Sequence, residues 1–148
     1  MHIQAMKDAL EQAKLAQLAG EVPVGAVIAY DGQIIARAHN ERELLCDPTA
    51  HAEMLALKRA ATALGRRRLQ GCTMYVTLEP CPMCAGAIAL SGLECVYFGA
   101  YDPRMGCAGS VYALPEDPAI GAGIACIGGV CEEECAALIR GFFGSKRD

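Results

Sequence analysis

Ile3, Met6, Leu10 and Ala13 recur at intervals of three and four, with Lys7, Glu11 and Lys14 among the polar positions. This spacing predicts an amphipathic helix ending near Ala19, where Gly20 supplies the stop. The pattern then changes to two short runs, Val24–Tyr30 and Gln33–Ala38, separated by Asp31-Gly32. Strand-like runs joined by Asp-Gly predict a β-hairpin with a type I′ turn. A polar loop follows from His39 to Thr49 and holds Asn40 and the Asp47-Pro48 breaker. From about Ala50 to Leu64 the apolar positions return to three and four (Met54, Leu55, Leu57, Ala60, Ala61, Leu64), with Thr49 as the expected N-cap and Gly65 as the stop. Cys72–Leu78 reads as a buried strand. Pro82, at a first helical position, opens a helix to Ser91, and Gly92 closes it.

A further strand is expected from Glu94 to Phe98, then a Gly-rich loop from Gly99 to Ser110 of a length more often functional than connective. Ile124–Val130 reads as a last strand weakened by Gly128-Gly129. Glu132–Phe143 reads as a terminal helix, with acids in its first turn where the dipole favours them. The order of elements predicts the α/β class, with helices packed on a mixed sheet in one domain.

Composition narrows this picture. With 148 residues, 53% hydrophobic and 20% charged, the chain has material for one substantial core. Its apolar runs are too short to span a membrane, and the N-terminus lacks a basic start leading into an apolar stretch, so a cytoplasmic location is expected. The net charge of −4 gives no general help to nucleic-acid binding, although Lys58-Arg59, Arg66-Arg67-Arg68 and Lys146-Arg147 cluster locally. For each cluster a solvated helix end is the favoured reading.

Nine cysteines, an odd number in a chain with no export signal, argue against a disulfide framework. Two of them stand in Pro80-Cys81-Pro82-Met83-Cys84, downstream of His51-Ala52-Glu53; the other seven are expected to serve mainly as small buried hydrophobes. His51, Cys81 and Cys84 make three zinc-capable donors, and a catalytic zinc site keeps its fourth position open. Cys81 and Cys84, at i and i+3, share one helix face. A helix opening at Pro82 also favours the ligating thiolates through its N-terminal dipole. Glu53 is two residues from His51, so the two converge only at the mouth of their helix. There Glu53 could move protons without being a ligand. His-x-Glu followed by Pro-Cys-x-x-Cys resembles the signature of the zinc-dependent nucleobase deaminases.

The resemblance extends further. Glu21-Val22-Pro23-Val24-Gly25-Ala26-Val27, Asp47–Glu53, Tyr75–Cys81, Met83–Ile88, Phe98-Gly99-Ala100, Gly106–Ser110 and Glu132–Leu138 with Phe142-Phe143 are similar to the bacterial tRNA-specific adenosine deaminases. That likeness covers nearly the whole chain. It implies a three-layer α/β/α cytidine-deaminase-like fold with about five strands, one Zn2+ per chain, a homodimer, and a tRNA anticodon stem-loop as substrate. By the same resemblance His51, Cys81 and Cys84 hold the metal and Glu53 shuttles protons. Asn40 hydrogen-bonds the flipped nucleoside, while the Ala52 N–H and the Pro80 carbonyl flank the base and its leaving amine. Asp102 lies near the RNA backbone and Phe143 borders the groove. One departure stands out: the family usually carries an Asn-His pair before the last strand, where this chain has Ala119-Ile120-Gly121-Ala122-Gly123. A deaminase of a free base or nucleoside (guanine, cytosine or adenosine) is the alternative enzyme. A silent zinc-bound scaffold is disfavoured by Glu53, for which it has no use.

Overall fold

The Asp31-Gly32 turn has φ of 52° and 77°, and Tyr30 pairs with Gln33 across it, so β1 (Gly25–Tyr30) and β2 (Gln33–His39) form the expected hairpin. The structure is a computed structural model that describes residues 2–120 and 123–147, with side chains through residue 144. Gly121 and Ala122, in the stretch where the Asn-His pair is replaced, lie outside the described residues, as do the side chains of Lys146 and Arg147.

Five strands form one sheet in the order β2-β1-β3-β4-β5, with β3 at Cys72–Leu78, β4 at Cys95–Ala100 and β5 at Ala125–Ile127. β1 runs antiparallel to both β2 and β3, whereas β3, β4 and β5 run parallel. The helices are α1 (His2–Leu18), α2 (Ala52–Leu64), α3 (Pro82–Ser91) and α4 (Glu132–Arg147). Alternation along the strands sorts them into layers. Ala26, Ile28, Met74 and Val76 face the core shared with Ala52, Ala56 and Ala60 of α2 and Ile88 of α3. Val27 and Tyr75 face the opposite core, with Ala5, Met6, Ala9 and Leu10 of α1 and Cys135 of α4. The result is the mixed three-layer α/β/α architecture expected from the sequence. Among the described residues no helix is long and apolar enough to cross a membrane.

Several boundaries differ from the sequence reading. β4 continues through Gly99 to Ala100, because Ala100 still pairs with Leu78. β5 shrinks to three residues, and α4 runs past Phe143, through Gly144, to Arg147. The N-cap of α2 is His51, not Thr49. Asp47 Oδ1 takes both the Thr49 N–H (2.8 Å) and its hydroxyl (2.7 Å), which commits Thr49 to a local turn. All nine cysteines are free, and Cys46 is exposed, unlike the buried Cys72, Cys107 and Cys135. Two residues of the basic clusters find local partners: Arg59 donates to the Arg37 carbonyl at 2.7 Å, while Arg66 donates to the Gln70 carbonyl and lies over the Tyr30 ring.

Gly25 shows how closely α1 approaches the sheet. A Cβ there would lie 2.5 Å from the Ala13 nitrogen and 2.7 Å from the Gln12 Cβ, and would collide with the Ala9 carbonyl oxygen. Two of these are helix backbone atoms, which cannot rotate away. Gly25→Ala is expected to cost about 3 kcal/mol, at the upper end of overpacking effects, seen as a lower urea midpoint with an unchanged slope. A loss under about 0.5 kcal/mol would mean α1 is not held as described.

Candidate active site

Ligand sites in sheets with parallel strands gather where those strands end. β3 leaves the sheet at Leu78 and runs through Glu79 and Pro80 into Cys81, the N-cap of α3. β4 ends beside it at Ala100 and leads to Asp102. The antiparallel strands contribute the other sides: Val24 precedes β1 and Asn40 follows β2. The Gly25 N–H donates to Thr77 Oγ1 at 3.1 Å, which ties the start of β1 to the end of β3. A cavity of about 300 Å³ opens here, with Val22, Val24 and Leu78 as apolar wall, His51, Glu53 and Cys81 as its reactive part, and Asn40, Arg42, Glu79, Asp102, Met105 and Phe143 completing the lining.

His51 and Cys81 are both N-caps with extended backbone, and neither side chain caps its own helix. Both turn instead toward each other. His51 Nδ1 lies 3.7 Å from Cys81 Sγ and 3.6 Å from Cys84 Sγ, and the three donor atoms all fall within 4.8 Å of one another. Such a group can hold a metal ion. Two helix N-termini thus point their dipoles at two thiols, an arrangement that favours thiolates. The Cys84 thiol, and less strongly the His51 ring, hold Cys81 down at about 4 against the cost of burial. Cys84 is pushed up in turn, first by that hydrogen bond and then by burial. His51 is raised, chiefly by its hydrogen bond to Cys81.

Glu53 lies in the first turn of α2, at the mouth where its side chain and that of His51 can share one site. It is 3% exposed, and burial pushes its carboxyl up to about 7 against a weaker downward pull from its own backbone N–H and from His51. A carboxyl in that range exchanges protons readily at neutral pH.

The remaining residues singled out from the sequence occupy defined positions. Asn40 is buried; its Oδ1 accepts the Ala52 N–H at 2.7 Å and its Nδ2 donates to the Val22 carbonyl at 3.2 Å. Asn40 therefore caps α2 from outside, which holds the helix mouth against the end of β2. The Ala52 N–H, expected to face a base, is engaged by Asn40 here. The Pro80 carbonyl accepts the Cys107 N–H at 2.8 Å. Asp102 Oδ1 accepts the N–H groups of Arg104 and Met105 at 3.0 and 3.2 Å. Phe143 is half-exposed at the rim, edge-to-face with Phe142.

Sequence reasoning missed three residues. Arg42 lines the cavity, yet nothing in its polar loop distinguishes it. Glu21 and Glu79 are buried acids whose oxygens accept backbone N–H groups. Glu21 takes those of Glu43 and Leu44, whereas Glu79 takes those of Asp102, Ala108 and Ser110. The available signal was position: an acid directly extending an apolar strand, as Glu79 extends β3, has little access to water.

Comparison with known proteins gives a consistent picture. The MafB19-like deaminase family matches residues 1–114. The tRNA-specific adenosine deaminase of Bacillus subtilis is 51% identical over 142 residues, covering 96% of this chain and 88% of the relative. A solved structure from a study of A-to-I editing by tRNA:A34 deaminases at the wobble position superposes with a TM-score of 0.88 at 41% identity, covering 91% of this chain and 98% of that one. A guanine deaminase structure from Bacillus subtilis is also 41% identical but covers only 68% of this chain and 65% of its own, with a TM-score of 0.66.

Proposed function

We propose a function from one premise: the chain belongs to the family of the tRNA-specific adenosine deaminases. It hydrolyses the exocyclic C–N bond of the wobble adenosine in a tRNA anticodon, giving inosine and ammonia. Residues 1–148 act as one deaminase domain. The observation that carries this reading is the triangle of His51, Cys81 and Cys84 donors with the buried Glu53 carboxyl lining the same cavity.

Zinc is the metal that suits this donor set. Tetrahedral zinc with bonds of about 2.3 Å to sulfur and about 2.0–2.1 Å to nitrogen separates those donors by about 3.6 Å. The sulfur–nitrogen distances of 3.6 and 3.7 Å agree with that spacing before any ion is considered. When bound, zinc supplies the Lewis acidity that makes water nucleophilic near neutral pH.

Glu53 takes a proton from the attacking water and delivers it to N1 of the purine, which makes C6 electrophilic. The hydroxyl oxygen adds at C6; Glu53, a carboxylate again, takes the remaining hydroxyl proton and passes it to the amine, which leaves as ammonia as the C6 carbonyl of inosine forms. The Pro80 carbonyl keeps a second lone pair beside its bond from Cys107 and receives the amine. Asn40 bonds the nucleoside through the second hydrogen of its amide, and the Ala52 N–H, shared with Asn40, flanks the base. Asp102 and Phe143 border the RNA on either side of the flipped nucleotide. An anticodon loop offers such a nucleotide at low unstacking cost. A second copy of the chain completes the RNA groove, and the enzyme works in the cytoplasm as a homodimer.

An anticodon stem-loop with wobble adenosine, assayed beside a panel of free bases and nucleosides, tests this reading. Inosine is expected in the loop, with poor turnover of the small molecules. Turnover of guanine, cytosine or free adenosine alone would replace it with the free-base reading.

A further inference from the structure

We propose that Glu79 is a positioning residue that sets the cavity wall formed by the loop after β4, and through it the fit of the RNA substrate. This rests on the tRNA adenosine deaminase reading. Glu79 is 2% exposed and takes no part in the proton transfers described above. Its Oε1 accepts the Asp102 N–H at 2.9 Å and the Ser110 hydroxyl, while Oε2 accepts the Ala108 N–H at 3.1 Å and the Ser110 N–H at 2.8 Å. Each carboxyl oxygen thus takes two of the four bonds, so both sides of the group are engaged. All four bonds run to one loop, and among the described residues none runs to His51, Glu53, Cys81 or Cys84.

The consequence passes along a short chain of bonds to the cavity mouth. Glu79 fixes the Asp102 backbone, and the Asp102 carboxyl then fixes the N–H groups of Arg104 and Met105. Asp102 and Met105 both line the cavity, and Met105 is half-exposed there. Gly106 makes the arrangement possible. A Cβ at that position would collide with the Glu79 carboxyl and lie 2.5 Å from the Asp102 carbonyl oxygen, so only glycine lets the loop close over the acid. The wall is thus held mainly by hydrogen bonds to its backbone, which leaves the Met105 side chain half-exposed at the cavity.

Glu79→Gln keeps the shape but replaces one acceptor oxygen by a donor, so at least one of the four bonds is lost together with the charge. Ser110→Ala removes a single bond and serves as the milder variant. For the anticodon stem-loop we expect KM to rise about tenfold in E79Q and two- to threefold in S110A, with kcat within twofold and metal content equal to wild type. Amide exchange at Asp102, Ala108 and Ser110 should quicken in the same order. An unchanged KM in E79Q would overturn the proposal. So would a fall in kcat together with metal content, which would place Glu79 in support of the metal donors instead. Wild-type deamination of the same stem-loop is measured alongside. Should it fail, the functional reading falls, and the wall is judged on amide exchange: quickened exchange upholds the clamp and unchanged exchange removes it.

Discussion

Glu53→Gln is expected to lower kcat on the stem-loop by about three to four orders of magnitude while metal content and fold stay as in wild type. Positioned general acid–base groups contribute about 10²–10⁴-fold. Glu53 is used at both ends of the reaction, first as base and then as acid, so the upper part of that range applies. Glutamine fills the same volume, and Glu53 is not one of the three grouped metal donors. Residual kcat within tenfold of wild type would remove Glu53 from the mechanism.

The same substitution has a signature in stability. Burial raises the Glu53 carboxyl from 4.5 to about 7. The folded state therefore holds this proton more tightly than the unfolded state. Its stabilising contribution is complete below about pH 4.5 and is lost as pH rises through about 7. In metal-stripped protein the wild type should lose on the order of 3 kcal/mol relative to E53Q across that window. Urea unfolding at a series of pH values measures the difference, and parallel curves for the two proteins would refute it.

Cys84→Ala is expected to abolish metal binding and bring deamination below detection. Cys84 is fully buried, so no water can readily take its place among the donors, and two donors cannot define a tetrahedral site. Binding of an ion at a thousand times its Kd stabilises the folded state by about 4 kcal/mol. At this chain length that corresponds to roughly 10 °C in Tm. Chelation should lower the wild-type Tm by about that amount and leave the variant unmoved, and readded zinc should restore only the wild type. A wild type whose Tm and activity both ignore chelation would sink the metal reading.

How much of this was legible in the sequence follows from the range of the forces involved. The hairpin was, because Asp31-Gly32 settles its turn within four residues. The helix over residues 52–64 was too, but not its cap: Thr49 is a good capping residue that Asp47, two positions away, captures first. That competition depends on which of two local hydrogen bonds wins. Asn40 shows the same limit at longer range. Its polar loop marked it as a candidate, but its bond to the Ala52 N–H exists only because β2 ends against the mouth of α2. Glu79 was passed over because its partners lie some 23 to 31 positions further along the chain.

The sequence alone determined the element types and the chemical inventory. Hydrophobic periods of two and near four are set by neighbours, and His-x-Glu with Pro-Cys-x-x-Cys is a list of reactive groups that any fold must carry. The tertiary structure decided what these groups could do together. Only the sheet order β2-β1-β3-β4-β5 brings the mouths of α2 and α3 to one point. That meeting places His51 Nδ1 within 3.7 Å of thiols 30 and 33 residues away, and it buries Glu53 deeply enough to raise its carboxyl to about 7. Distance and desolvation are properties of packing, and no periodicity along a chain encodes them.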